Sequence, residues 1–249
     1  MTAIFITGTG TDVGKTFVAA SLIRHLRQMG RLVDALKPVV SGFDPATPLS
    51  SDPGILLQAL GLKVTAEEIE RIAPWRYRAA LSPDLAAKRE GQAIDVGSIV
   101  AFCRTAIDQR RDILLIEGAG GIMAPLNGEH TMLDLMMALR VPLILVAGSY
   151  LGTISHTLTA LDALFGRNMK VLATIVSETP NSTVPLADTV AAIARFAEPV
   201  IGLPRQRLGQ AGGVADQPDE RSGRTVAAFD RIFGGQPSPA DAQQEDEPG

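Results

Sequence analysis

Cysteine is almost absent: Cys103 is the only one in 249 residues. The chain therefore forms no internal disulfide and no thiolate metal cluster, and a reducing cytoplasm is the expected compartment. No apolar run reaches the roughly 20 residues that a membrane-crossing helix requires. Gly8, Gly10, Asp12 and Lys15 interrupt the Met1 end before any basic-then-apolar leader can form, so neither secretion nor membrane insertion is expected. An excess of positive charge is missing too. The net charge is −4 and the pI about 5.4, which lacks the basic field of a nucleic-acid surface. Residues 236–249 hold Asp241, Glu245, Asp246 and Glu247 and no basic residue, so the rest of the chain is neutral overall. Aromatic residues make up 4%; Trp75 and Tyr77 beside Arg76 and Arg78 read as packing, not base stacking, in so acidic a chain. Lysine is scarce as well, five residues against 18 arginines.

What is present is an alternation of apolar strands and helices. Ala3–Thr7, Leu32–Pro38, Asp112–Glu117, Pro142–Ala147 and Lys170–Val176 read as buried parallel strands, continuous and not alternating. Phe17–Met29, Ile99–Arg110, Met132–Leu139, Ile154–Phe165 and Leu186–Phe196 read as helices, with Gly30 and Gly166 as stops after the first and fourth. This order predicts an α/β fold in one domain, a mostly parallel sheet with helices on both faces. No repeat of 20 to 50 residues is visible. Residues 41–95 form a turn-rich insertion, with short helices at best, of the kind that often carries function. The domain is expected over 1–208. Residues 209–249 read as a mostly disordered acidic tail with one short helix near Val226–Phe233.

The strongest motif lies at the start: a strand, then Gly8-Thr9-Gly10-Thr11-Asp12-Val13-Gly14-Lys15-Thr16, then a helix from Phe17. Backbone N–H groups of such a loop wrap phosphate oxygens, and the helix N-terminus adds its positive end. Lys15 would reach the β- and γ-phosphates and Thr16 would ligate Mg²⁺. The general pattern spaces its glycines by four residues, whereas Gly8 and Gly14 enclose five; a dinucleotide fingerprint fails because Val13 stands where a third glycine is needed. A second motif, Glu117-Gly118-Ala119-Gly120-Gly121, ends a strand with a carboxylate at the sheet edge where ligands sit, suited to Mg²⁺. Lys37 leaves another strand at that edge as a second cation. Asp52, before Pro53, reads on its own as a turn. His25, His130 and His156 have no ligand spacing and read as structural, with His156 supporting its turn; Cys103 reads as a buried small side chain.

Taken together and in order, Thr7-Gly8-Thr9 through Val13-Gly14-Lys15-Thr16, Lys37-Pro38-Val39 with Ser41-Gly42, Ser51-Asp52 and Glu117–Gly121 resemble the dethiobiotin synthetase family. The five-residue glycine spacing is characteristic of that family. Leu151-Gly152-Thr153-Ile154-Ser155-His156 is similar to its strand-to-helix turn, and Ile201-Gly202-Leu203-Pro204 to the stretch flanking its base pocket. The likeness runs from about residue 3 to 205. It implies a cytoplasmic homodimeric ligase that closes a ureido ring on 7,8-diaminononanoate with CO₂, ATP and Mg²⁺. By that resemblance Gly8, Thr11, Asp12, Val13, Gly14, Lys15, Thr16 and Phe17 hold the nucleotide phosphates. Thr16, Asp52 and Glu117 hold the metal. Lys37, Lys15, Thr11 and Ser41 form the catalytic set, and Thr11, Asp12, Lys37 and Ser41 surround the diamine and its carbamate. Leu151, Gly152, Thr153 and Ser155 would offer N–H groups to the substrate carboxylate across the dimer interface.

The sequence departs from the family at several points. Asp12 stands for a common glutamate, Tyr150 for a lysine, Ser155 for an asparagine and Asp84 for a histidine. Ser177 stands where an asparagine reads adenine, so CTP or another nucleotide stays open beside ATP. A switch ATPase of the partition or division-site type is the rival reading, but Gly8-Thr9-Gly10 lacks that class's signature lysine, and the tail is acidic where a basic or amphipathic membrane-binding end is usual. Cobyrinate synthetases add a glutaminase domain with a nucleophilic cysteine, which neither this length nor Cys103 accommodates.

Overall fold

Runs such as Ile113–Glu117 (ILLIE) and Leu143–Gly148 (LILVAG) are apolar on both sides of the pleat, so each strand must be covered on both faces. A computed structural model describes residues 2–180, 182–205 and 229 of the chain. The first half contains β1 (Thr2–Gly8), α1 (Lys15–Gln28), β2 (Val33–Leu36) and β3 (Val39–Ser41), then α2 (Asp52–Ala59), α3 (Ala66–Ile72), β4 (Trp75–Tyr77) and α4 (Pro83–Arg89). There follow α5 (Val96–Gln109), β5 (Ile113–Glu117), α6 (Met132–Leu139), β6 (Leu143–Gly148), α7 (Thr153–Phe165), β7 (Val171–Ser177), α8 (Leu186–Ala194) and β8 (Val200–Leu203).

Six strands form one parallel sheet in the order β2-β5-β1-β6-β7-β8. From β1 the chain crosses toward β2 at one edge, whereas from β5 through β8 it crosses toward the other. Right-handed crossovers running in opposite directions leave their helices on opposite faces. Neighbouring β1 and β5 lead away in opposite senses, and a crevice opens past their C-terminal ends, where ligands bind in such sheets. The register sets Ile6 beside Glu117, which brings the loop after β1 and the carboxylate ending β5 to one place.

The anticipated strands and helices are present, with ends shifted by a few residues. Three differences have physical causes. The 41–95 insertion, read as short helices at best, contributes β4, which pairs in parallel with β3 at its entrance, Val39 with Trp75 and Ser41 with Tyr77. Trp75 meets Phe102 edge-on at 5.6 Å and Tyr77 is buried, so both aromatics do pack. β8 has only four residues, VIGL, too few to show a period. Beyond α7 the left-handed residue is Asn168 (φ 55°), while Gly166 stays in the right-handed helical region; Asn tolerates that conformation through its short polar side chain.

The expected tail over 209–249 lies outside the described residues except for Phe229. That side chain is 1% exposed in the core and its ring lies 5.6 Å from the ring of His25 on α1. No helix among the described residues is long and apolar enough to cross a membrane.

Candidate active site

The loop between β1 and α1 is shaped by two left-handed residues. Asp12 (φ 57°) and Gly14 (φ 96°) turn successive backbone N–H groups toward one side, the concave arrangement that binds anions. Gly14 is obligatory: a Cβ there would lie 2.5 Å from Ser177 Oγ. The loop is tied to the sheet from both flanks, with Thr9 N–H donating to Val146 O (2.9 Å) and Ile122 N–H to Gly8 O (3.1 Å). Lys15, the first residue of α1, reaches back across the loop and donates to Gly10 O at 2.7 Å.

Three further side chains converge on this loop. Lys37 Nζ, 3% exposed, sits 2.6 Å from Glu117 Oε1, 3.1 Å from Asp52 Oδ2 and 3.0 Å from Gly118 O. Thr16 Oγ1 donates to the same Glu117 Oε1 at 2.7 Å. Asp52 is delivered by the start of α2, where the Ser51 hydroxyl accepts from Gly54 N–H as a cap. Burial opposes the charge on Lys37, but Glu117 and Asp52 outweigh it and hold its pKa above the ordinary lysine value. Burial also works against ionisation of Asp52, yet the charge and hydrogen bonds of Lys37 and Thr16 hold its carboxyl below the usual range. Lys15 goes the other way: burial, aided by the charge of Lys37, pulls it down to about 8 against the attraction of Glu117, Asp52 and Asp12.

These groups line a cavity of about 450 Å³ that also holds Thr11, Asp12, Phe17 and Ser41. A larger cavity of about 910 Å³ adjoins it, sharing Thr11, Asp12, Ser41, Gly42 and Gly120 and extending to residues 80–83, 121–125 and the α7 side chains His156 and Thr159. Here Gly121 allows close backbone approach, since a Cβ would lie 3.1 Å from Thr9 O.

A divalent cation fits the smaller cavity. Glu117 Oε2 is buried without a hydrogen-bond partner, a state that costs free energy unless a ligand satisfies it. Among the described residues no three His, Cys, Asp or Glu side chains form a metal cage. Two carboxylates and a hydroxyl suit Mg²⁺, which keeps waters and phosphate oxygens as its other ligands.

The anticipated site residues fall into three groups. Thr11, Asp12, Gly14, Lys15, Thr16, Phe17, Lys37, Ser41, Asp52 and Glu117 share the smaller cavity; Gly8 and Val13 belong to the same loop. Ser177, Gly202, Leu203 and Pro204 lie apart, at the C-terminal ends of β7 and β8. Ser177 Oγ is directed under Gly14. Leu151, Gly152, Thr153 and Ser155 line neither cavity; Leu151 is 88% exposed and Thr153 Oγ1 caps back onto Gly148 O at 2.7 Å. His156 does bond within its turn, to the Tyr150 hydroxyl at 2.9 Å, but it also lines the larger cavity. Sequence reasoning passed over that second role, although His156, Thr159, Ala160 and Ala163 recur at the spacing of three and four that marks one helix face.

A glycine loop at a strand-to-helix junction, with its lysine and hydroxyl facing a strand-end carboxylate, defines a P-loop nucleotide-binding α/β protein. Residues 2–209 match the AAA domain family. The ATP-dependent dethiobiotin synthetase BioD of Caulobacter sp. (strain K31) is 46% identical over 241 residues, 95% of this chain and 100% of that one. Its namesake from Methylobacterium nodulans is 48% identical over 202 residues, 79% of this chain and 90% of that protein. The chain belongs to the dethiobiotin synthetase family. Its fold is also that of the MinD cell division protein of Aquifex aeolicus (TM-score 0.56, 14% identity, 96% and 99% of the two chains). Cobyrinic acid a,c-diamide synthase from Mycobacterium smegmatis is similar in fold too (TM-score 0.50, 16% identity, 96% and 98%).

Proposed function

We propose that this chain makes dethiobiotin from 7,8-diaminononanoate, CO₂ and ATP, releasing ADP and phosphate. The observation that carries the reading is the convergence of Lys15, Thr16, Lys37, Asp52 and Glu117 on one small cavity that opens into a larger, more apolar one. The first cavity suits a triphosphate end and the second a flexible diamino acid. One substrate amine adds to CO₂, forming a C–N bond and losing a proton to give a carbamate. A carbamate oxygen attacks the γ-phosphorus and ADP leaves. The second amine then attacks the carbonyl carbon of this mixed anhydride, phosphate departs and the ureido ring closes.

The protein's part is positioning and charge neutralisation, as in phosphoryl transfer generally. The loop N–H groups and Lys15 hold the phosphates. Lys37 neutralises the carbamate and the transferring phosphoryl group, and Thr11, Asp12 and Ser41 border the amines. Mg²⁺ bound by Thr16, Asp52 and Glu117 would supply further positive charge to the phosphates. Ser177 stands where the family has the asparagine that reads adenine, which supports a base site open to CTP or another nucleotide beside ATP. The resemblance supports a cytoplasmic homodimer with the substrate near the subunit interface.

The deciding experiment follows nucleoside-diphosphate release with bicarbonate and Mg²⁺, with and without 7,8-diaminononanoate, and identifies the product by mass. Diamine-dependent turnover with dethiobiotin formed is the expected result. Hydrolysis that ignores the diamine and yields no new product would instead favour a switch ATPase of the same fold.

A further inference from the structure

Resting on the metal assignment of that reading, we propose that Lys37 keeps Asp52 and Glu117 from holding a divalent cation until nucleotide phosphates draw it away, so that metal and nucleotide bind together. An ammonium has three protons to donate, and Lys37 Nζ has an acceptor for each: Glu117 Oε1 at 2.6 Å, Gly118 O at 3.0 Å and Asp52 Oδ2 at 3.1 Å. Its side chain is buried, so water does not compete for those protons. Both carboxylates proposed for the cation are thus already neutralised by a charge of the protein itself. Among the described residues, three acids (Asp12, Asp52 and Glu117) and two lysines line the smaller cavity, an excess of one negative charge. A divalent cation bound there alone would bring its two positive charges close to the Lys37 ammonium, where like-charge repulsion is large.

Lys37 is able to leave. Its backbone is pinned, with Lys37 N–H donating to Ile72 O at 2.9 Å, but its charge sits at the end of a flexible four-carbon stem. Of the three acceptors, Asp52 is the one that yields: its contact is the longest, and its side chain is 41% exposed against 1% for Glu117. A triphosphate seated in the loop over residues 8–16 carries several negative charges and offers Lys37 phosphate oxygens in exchange for Asp52. The released Asp52 oxygen and the buried, unpartnered Glu117 Oε2 then become available to the cation beside Thr16. Lys15 takes no part in this exchange, since its Nζ is turned to Gly10 O at 2.7 Å. Each ligand strengthens the binding of the other, a coupling that is reciprocal.

The test measures Mn²⁺, a paramagnetic stand-in for Mg²⁺, binding to the full chain without nucleotide, by electron paramagnetic resonance. Lys37→Gln is expected to lower the Mn²⁺ Kd by about tenfold or more, and Lys37→Met provides a second uncharged variant should the first not fold. Lys37→Arg, which keeps the charge, and Lys15→Gln, which removes a charge turned elsewhere, should stay within about threefold of the unaltered protein. Adding Glu117→Gln to Lys37→Gln should undo the tightening. Calorimetry with the ATP analogue that has a methylene between its β- and γ-phosphorus gives a second readout. The gain in its affinity on adding Mn²⁺ should shrink in Lys37→Gln by about the same factor. An Mn²⁺ Kd that is unchanged or higher in the uncharged variants overturns the proposal, as does equal tightening in Lys15→Gln, which would mark a general field and not this contact. Dethiobiotin formed by an unaltered enzyme whose Mn²⁺ affinity ignores Lys37 overturns this assignment alone. Tightening in Lys37→Gln of a protein that forms no dethiobiotin upholds it and overturns the functional reading.

Discussion

Lys37 keeps its charge in a place that has almost no water, because Glu117 and Asp52 lie within 2.6 and 3.1 Å of its Nζ. Lys15, in the same cavity, is drawn down to about 8 by burial and by the repulsion of Lys37. In the proposed reaction the two cations divide the work, Lys15 holding the phosphates and Lys37 meeting the charge that develops during transfer. Lys37→Gln should lower kcat by roughly 100-fold or more while the ATP Kd moves only about threefold. Steady-state kinetics and nucleotide titration check this; parallel losses in both would reduce Lys37 to an ordinary binding residue. Both lysines were legible in the sequence, one from its glycine loop and one from its strand end. That Lys37 is enclosed and pairs with both Asp52 and Glu117, the carboxylates proposed for the cation, was not, because those two come from segments 65 residues apart, and only packing brings them together.

At the scale of elements, α2 decides where Asp52 stands. Its first turn sits against the short 3₁₀ turn Pro48–Ser50, and a Cβ on Gly54 would fall well inside contact distance of Pro48 O. Gly54→Ala should push α2 away from that turn, lower stability by about 1–3 kcal/mol and raise the Mg²⁺ concentration needed for half-maximal rate. Urea unfolding and a Mg²⁺ titration of activity test it; if neither changes, the turn yields without moving Asp52. The sequence marked 41–95 as a functional insertion through its Asp-Pro, Thr-Pro and Ser-Pro pairs, and its helices as short. The β3–β4 ladder escaped notice because each strand has three residues, shorter than any periodic signal. α7 was legible as a helix, but its face toward the larger cavity became visible only once residues 80–83 and 121–125 closed the other walls.

For the whole molecule, two contacts far from the site join distant parts of the chain. Arg31 donates to Asp112 through Nε and Nη2 at 2.7 and 2.6 Å, both side chains buried at the start of neighbouring strands β2 and β5. The hydrogen bonds from Arg31, aided by its charge, hold the Asp112 carboxyl below the usual range. A carboxyl depressed by folding contributes stability that is present above its unfolded pKa, about 3.9, and lost as pH falls through the folded value. Asp112→Asn should cost about 3 kcal/mol near neutrality, and the gap to the unaltered protein should narrow as pH drops below about 4. Urea midpoints from pH 8 to pH 3 would show this, and a gap that ignores pH would mean that the loss does not come from the ionised carboxylate. Phe229 makes a second long-range contact. Phe229→Ala should remove about 3 kcal/mol with little change in KM for ATP; an unchanged urea midpoint would show that the ring is not part of the cooperative core.

The sequence by itself determined the α/β class, the phosphate loop and the membership of both lysines and Glu117 in its site. Those features are written in neighbouring residues: apolar runs of strand length, a glycine loop before a helix, and charges at strand ends. Tertiary structure decided what depends on distant segments. It brought Asp52 to Lys37, left Glu117 Oε2 buried and unpaired, turned Ser177 beneath Gly14 and carried His156 to the wall of the larger cavity. A local pattern specifies how each segment folds, but the distances between side chains of different segments follow only from how the sheet and its covering helices pack.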